Sequence, residues 1–145
     1  MADEKDLKDL KKNAKTLERA DVPGFEPFGE PRTYELEHDW DVVVHYEKVD
    51  DVAGGMLNGP TVIRCEFGEI KTVSLKNLLN TGSNTFEVQA HNVHPPVWSL
   101  RYVIGIFDAD GNPKYAGIDI TVRGKTPHLG MQHQDFFYFV KKPKP

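Results

Sequence analysis

Tyr34-Glu35-Leu36-Glu37-His38-Asp39-Trp40-Asp41-Val42-Val43-Val44-His45-Tyr46-Glu47 alternates apolar with polar or acidic side chains over most of its length. One parity carries Tyr34, Leu36, His38, Trp40, Val42, Val44 and Tyr46; the other carries Glu35, Glu37, Asp39, Asp41, Val43, His45 and Glu47. A strand points successive side chains to opposite faces, so a period of two means one buried and one wet face. No helical period fits. The stretch predicts one long strand of an antiparallel sheet with an acidic outer surface. Trp40 is expected inside with Val42 and Val44, and Glu35 and Glu37 outside.

The residues that follow repeat this grammar. Thr61–Phe67, Glu69–Leu75, Thr85–His91, Trp98–Asp108, Tyr115–Arg123 and Asp135–Val140 read as strands, separated by Gly, Pro, Asn and Asp. The stretch 52–60, rich in glycine, and the stretch 124–134 read as loops. Asp110-Gly111-Asn112 reads as a turn between two strands. The expected fold is all-β: an antiparallel, jelly-roll-like β-sandwich of seven or eight strands, with no helix between them.

Upstream, Leu7, Leu10, Ala14 and Leu17 give a thin apolar stripe at helical spacing. Acids at Asp3, Glu4 and Asp6 favour a helix start, and Pro23-Gly24 a stop. The expected organisation is a helical arm over 1–22, a linker over 23–31, a sandwich over 32–140 and a basic tail over 141–145. A lone helix of this length is marginal in water, so the arm is expected to dock, with Leu7, Leu10 and Leu17 as its contacts.

The chain has 145 residues, enough for one domain with a sizeable core. Its formal charge of −4 is unevenly spread. Residues 1–22 balance and the tail is basic, which leaves the body strongly acidic. Such a body repels phosphate backbones, so nucleic acid is not an expected partner. No run approaches the length of a membrane span. A single cysteine, Cys65, excludes an internal disulfide framework. The start of the chain is charged, without the apolar run of a secretion signal, so a cytosolic protein is expected; release by a route without a signal stays open.

Candidate chemistry is sparse. His91, His94, His128 and His133 are the conceivable metal ligands, but their spacing matches no metal motif and no cofactor is expected. Asp108-Ala-Asp110-Gly111-Asn112 resembles the start of a calcium loop, yet Asp119 stands where that loop needs glutamate. A turn is the simpler reading. Glu35, Glu37, Asp39 and Asp41 form a carboxylate row that fits edge protection better than glycosidase chemistry. Cys65, mid-strand, reads as a small buried hydrophobe. Asn80-Thr-Gly-Ser-Asn84-Thr-Phe-Glu-Val88 resembles a turn-and-strand run common in sugar-binding jelly rolls. Trp98, Tyr102, Tyr115, His94 and His128 are the candidate ligand contacts, the aromatics because a ring can stack on a sugar.

These features favour a non-catalytic binding or assembly module that self-associates through the arm and the very apolar terminal strand. The alternatives are a glycan-binding module and a cupin-like metal-dependent enzyme. The expected partners are a second copy, another protein or a glycan.

Overall fold

The computed structural model describes residues 32–145, together with the backbone of two short upstream strands. In chain order the strands are β1 Ala14–Arg19, β2 Glu26–Pro27, β3 Arg32–Leu36, β4 Asp41–Asp50, β5 Val52–Leu57, β6 Thr61–Glu66, β7 Lys71–Ser74, β8 Gly82–Asn92, β9 Val97–Phe107, β10 Gly117–Lys125 and β11 Gly130–Lys141. One sheet has the order β1-β10-β9-β4-β7. The other runs β2-β11-β8-β5-β6, with β3 also on β11. The pairings are antiparallel except β1–β10, β2–β11 and β3–β11. Among the described residues there is no helix.

The core lies between the sheets. Val42, Val44 and Tyr46 of β4, Leu100, Tyr102 and Ile104 of β9, and Ile120 and Val122 of β10 meet Phe86 and Val88 of β8 and Phe137 and Phe139 of β11. Each set keeps one parity, so alternation does predict which side chains pack inward. On the opposite face of the first sheet Arg101 is clasped by Asp119 and lies 3.2 Å from Glu47, which in turn meets His45 at 2.8 Å.

Several expectations are corrected. The opening strand is two strands. β3 and β4 belong to different sheets and are separated by a turn at His38-Asp39, where the Trp40 N–H donates to the Glu37 carbonyl at 3.2 Å. The alternation runs through this short turn unbroken, so periodicity alone could not show it. The row Glu35, Glu37, Asp39, Asp41 is therefore not one face: it spans β3, the turn and β4. Glu35 is exposed, Glu37 only partly so, and Trp40 is half-buried at the core's margin. β4 is central, with β7 and β9 on its flanks, and buries Val43 and His45 as well as Val42 and Val44.

The glycine-rich stretch is also a strand. A side chain at Gly55 would put its Cβ 2.4 Å from Ile63 Cγ2 and 2.8 Å from the Phe86 ring. Glycine is normally poor in strands, but here it lets Ile63, Phe86 and Tyr46 close on the backbone. Tyr46 uses that approach to donate its hydroxyl to the Gly54 carbonyl at 2.9 Å. The expected loop 124–134 is largely the end of β10 and the start of β11. Of the helical arm expected over 1–22, residues 14–19 form strand β1 against β10; the rest of the arm, most of the linker and the Leu7/Leu10 stripe lie outside the described residues. Strand pairing gives that segment backbone partners that a thin apolar stripe does not. The terminal strand β11 is paired on both edges, by β8 and by β3 with β2, so its need for cover is met within the chain.

Candidate functional site

At the end of the sandwich where β4 passes into β5, three segments enclose a groove of about 630 Å³. Asp50, Asp51 and Val52 form one wall, Arg64, Glu66 and Phe67 at the end of β6 a second, and Val93 and His94 beyond β8 the third. Asp51 ties the walls together. Its Oδ2 accepts the N–H groups of Val93 and His94 at 2.7 and 2.5 Å, and its own N–H donates to the His91 carbonyl at 3.3 Å. The Gly68 N–H reaches back to the Val49 carbonyl at 3.4 Å. Glu69 Oε1 takes the Glu66 N–H at 2.9 Å, closing the turn that presents Phe67. The Phe67 ring is left 72% exposed, and Val93 is also exposed.

The two aspartates behave differently. Burial, then the hydrogen bond and charge of Asp51, push the Asp50 carboxyl up to about 6, against a slight opposing pull from His94. For Asp51 burial also acts upward, but the hydrogen bond with Asp50 and the backbone N–H groups of His94 and Val93 outweigh it and hold the carboxyl below its ordinary value. Below about pH 6 the pair therefore holds one proton, with Asp51 as the ionised anchor and Asp50 as the group that titrates. The groove offers an apolar ring, a carboxyl group that can donate or accept, a guanidinium, a second carboxylate and an imidazole. This is the make-up of a small-ligand site: apolar surface with a few convergent polar groups.

Of the side chains expected to bind ligand, only His94 lines this groove. Trp98 and Tyr102 are fully buried in the core, so neither ring has a face open to a sugar. Tyr102 donates its hydroxyl to Asp135, and burial, then the Asp135 charge, push its pKa far up. Tyr115 lies at the opposite end of the β9–β10 pair. Its hydroxyl donates to the Glu35 carbonyl at 2.7 Å, and its ring meets Tyr34 and Trp40 edge-on. His128 is exposed in the loop before β11, where its carbonyl accepts the Asn92 side-chain amide at 3.0 Å.

The histidines do not converge. His133 is buried in β11, 2.8 Å from Asp135, and stacks on Trp98. His91 points to Gln89 Oε1 at 2.8 Å, with its pKa lowered by burial and then by Arg64. Among the described residues no three His, Cys, Asp or Glu side chains are grouped to hold a metal ion. Asp108 accepts the N–H groups of Asp110 and Asn112 at 3.0 and 2.9 Å, so the calcium-like run is a turn knotted on its own carboxylate. Cys65 is buried, donates to the Glu69 carbonyl at 3.2 Å, and has its thiol pKa raised, first by burial and then by Glu69.

Sequence reasoning missed Asp50, Asp51, Arg64, Glu66, Phe67 and Val93. Phe67 shares the parity of Cys65 and Ile63 and so reads as core, but β6 ends at Glu66 and the next side chain escapes the pleat. The doublet Asp50-Asp51, at the end of a long apolar strand, was the only local signal. The chain matches no family model, no curated protein and no solved structure.

Proposed function

We propose that this chain is a non-catalytic binding module whose groove at Asp50, Phe67 and His94 takes a sugar residue of a glycan. The observation that carries the reading is Phe67: a large ring, open to solvent, set beside hydrogen-bonding groups in a concave site. A pyranose ring has one apolar face for such a platform and hydroxyls on its rim for Asp50, Arg64, Glu66 and His94. Binding is favoured over hydrolysis because Asp50 and Asp51 are neighbours sharing a hydrogen bond, whereas glycosidases hold their two carboxyl groups about 5–10 Å apart around the bond they cleave. The jelly-roll class belongs with this proposal and is supported by the nested pairs β4–β9 and β5–β8. So does a cytosolic setting, which suits the free thiol of Cys65.

A glycan array probed with the full chain tests the reading. Saturable binding to a defined set of sugars, abolished by Phe67→Ala, is the expected result. An array without signal, or signal indifferent to Phe67, overturns it. A self-association reading keeps one support: β6 is paired on one side only among the described residues, although Glu69 already occupies the outward N–H of Glu66. Light scattering on the full chain and on a chain lacking residues 1–22 tests that reading; a monomer in both cases removes it.

A further inference from the structure

Most polar groups of the groove at Phe67 already serve the protein itself. Asp51 gives one oxygen to the N–H groups of Val93 and His94 and shares a hydrogen bond with Asp50. Arg64 and Glu66 stand two apart on β6, so they share a face of it; they meet at 3.4 Å with both side chains largely in water. Asp50 is different. It is engaged by Asp51 through one hydrogen bond, whereas an ionised carboxylate has about four acceptor sites. Asp50 is half-buried and lines the same groove as the bare Phe67 ring.

The balance of charge in the groove is one-sided. Asp50, Asp51 and Glu66 line it against the single guanidinium of Arg64, which already lies beside Glu66. An acidic sugar would meet that shared guanidinium and be repelled by the carboxyl groups. An ammonium group gains twice. It pairs with a carboxylate by charge-assisted hydrogen bonds, and the negative face of an aromatic ring attracts the same charge. A neutral hydroxyl gains neither.

We propose that Asp50 makes this groove select an amino sugar, a sugar residue with a free ammonium group, over its neutral and N-acetylated counterparts. The inference rests on the sugar-binding reading of the groove and adds to it the class of sugar. The apolar face of the sugar lies on Phe67, its ammonium group donates to the Asp50 carboxylate, and His94 meets a ring hydroxyl.

The test is a titration of the full chain at about pH 7, where Asp50, titrating at about 6, is mostly ionised. Amide NMR shifts at Phe67, Val93 and His94 follow binding. Glucosamine is compared with N-acetylglucosamine and glucose, galactosamine with N-acetylgalactosamine and galactose, and ethanolamine serves as an amine without a ring. One amino sugar is expected to saturate those shifts at a concentration about threefold to tenfold below that of its two counterparts. Asp50→Asn, checked for folding by its melting temperature, is expected to bring the amino sugar to the level of its neutral parent. Phe67→Ala is expected to lose binding of every sugar. A second readout needs no change at Asp50. In a His94→Gln chain, where no imidazole adds charge, lowering the pH from about 7 to about 5 protonates Asp50 while the sugar keeps its ammonium group and Asp51 stays ionised. The preference is expected to fall over that range. A preference that persists at about pH 5 or in a folded Asp50→Asn chain overturns the proposal. So does ethanolamine binding as tightly as the amino sugar. Sugars bound without regard to the amine overturn this inference alone and leave the sugar-binding reading in place; no sugar bound, here or on the array, overturns both.

Discussion

The two ends of the sandwich use aromatic residues in opposite ways. At the end formed by β3, the start of β4 and the loop before β10, the rings serve each other. Tyr34 meets Tyr115 edge-on at 5.2 Å and stacks on Phe139 at 6.0 Å; Trp40 meets Tyr115 at 6.3 Å and carries Lys114 over its face. At the other end Phe67 stands over a groove of charged groups and, among the described residues, meets no other ring. A ring whose faces and edges are already taken contributes to stability. A ring left bare at a concave site is the one with surface to offer a ligand. The difference lies in partnership, not in residue type.

The largest effect is expected at the closed end. Phe139 is fully buried beneath Tyr34, so Phe139→Ala removes core volume together with the support of the Tyr34–Tyr115 pair. A loss of about 3–5 kcal/mol is expected in denaturant unfolding. A loss below about 1 kcal/mol in that experiment would show that this cluster is not structural and would erase the contrast between the ends.

Next comes the strand that leads out of the groove. Gly55→Ala forces a Cβ against Ile63, Phe86 and the Tyr46 hydroxyl at once. Overpacking of this kind costs about 1–3 kcal/mol. Thermal melts of Gly55→Ala and Gly54→Ala make a matched pair, because a Cβ at Gly54 meets only Met56 Sδ at an ordinary 3.6 Å. If the two variants melt together, the close approach at Gly55 is not what makes this stretch a strand.

How much of this was legible follows from the same residues. Alternation placed Val42, Val44, Tyr46, Phe86 and Val88 in the core because it reports a local property, the pleat. It could not divide β3 from β4, since a two-residue turn preserves parity while moving the chain between sheets. It discarded β5, because glycine's low strand preference is overridden by neighbours distant in sequence. The site was mostly illegible for a related reason. Asp50, Phe67 and His94 come from three strand ends, and only the sheet order brings them together. Trp98 and Tyr102 looked available because residue type says nothing about exposure.

A smaller effect separates the aspartates. Asp50 is pushed up from 3.8 to about 6 in the folded chain. Between those values the folded state binds more protons than the unfolded one, so stability from this group falls as pH rises from about 4 to about 6 and then levels off. Asp51, held below its ordinary value, acts the other way, and only below about pH 4. Asp50→Asn keeps a donor toward Asp51 without the titration. Melting temperatures from pH 4 to 7 are expected to show a flatter profile for the variant than for the parent chain. Parallel profiles would mean that Asp50 does not hold its proton in the fold, and the groove would then be anionic throughout this range.

The smallest expected change in stability is the most informative about function. Phe67 follows the last residue of β6 and is largely exposed, so its side chain adds little to the folded state. Phe67→Ala is expected to shift unfolding free energy by no more than about 0.5 kcal/mol. Its effect on ligand is expected to be large, because aromatic anchors dominate the energy of sites that contain them. Trp40→Ala at the closed end supplies the mirror image: a half-buried ring packed against the core, with a clear loss of stability and no effect on binding. Denaturant curves and glycan binding measured on both variants put the contrast to a direct test. If Trp40→Ala abolishes binding while the chain stays folded, the ligand surface lies at the closed end, and the exposure of Phe67 has another cause. If Phe67→Ala unfolds the chain, the ring is a structural prop and the groove loses its platform.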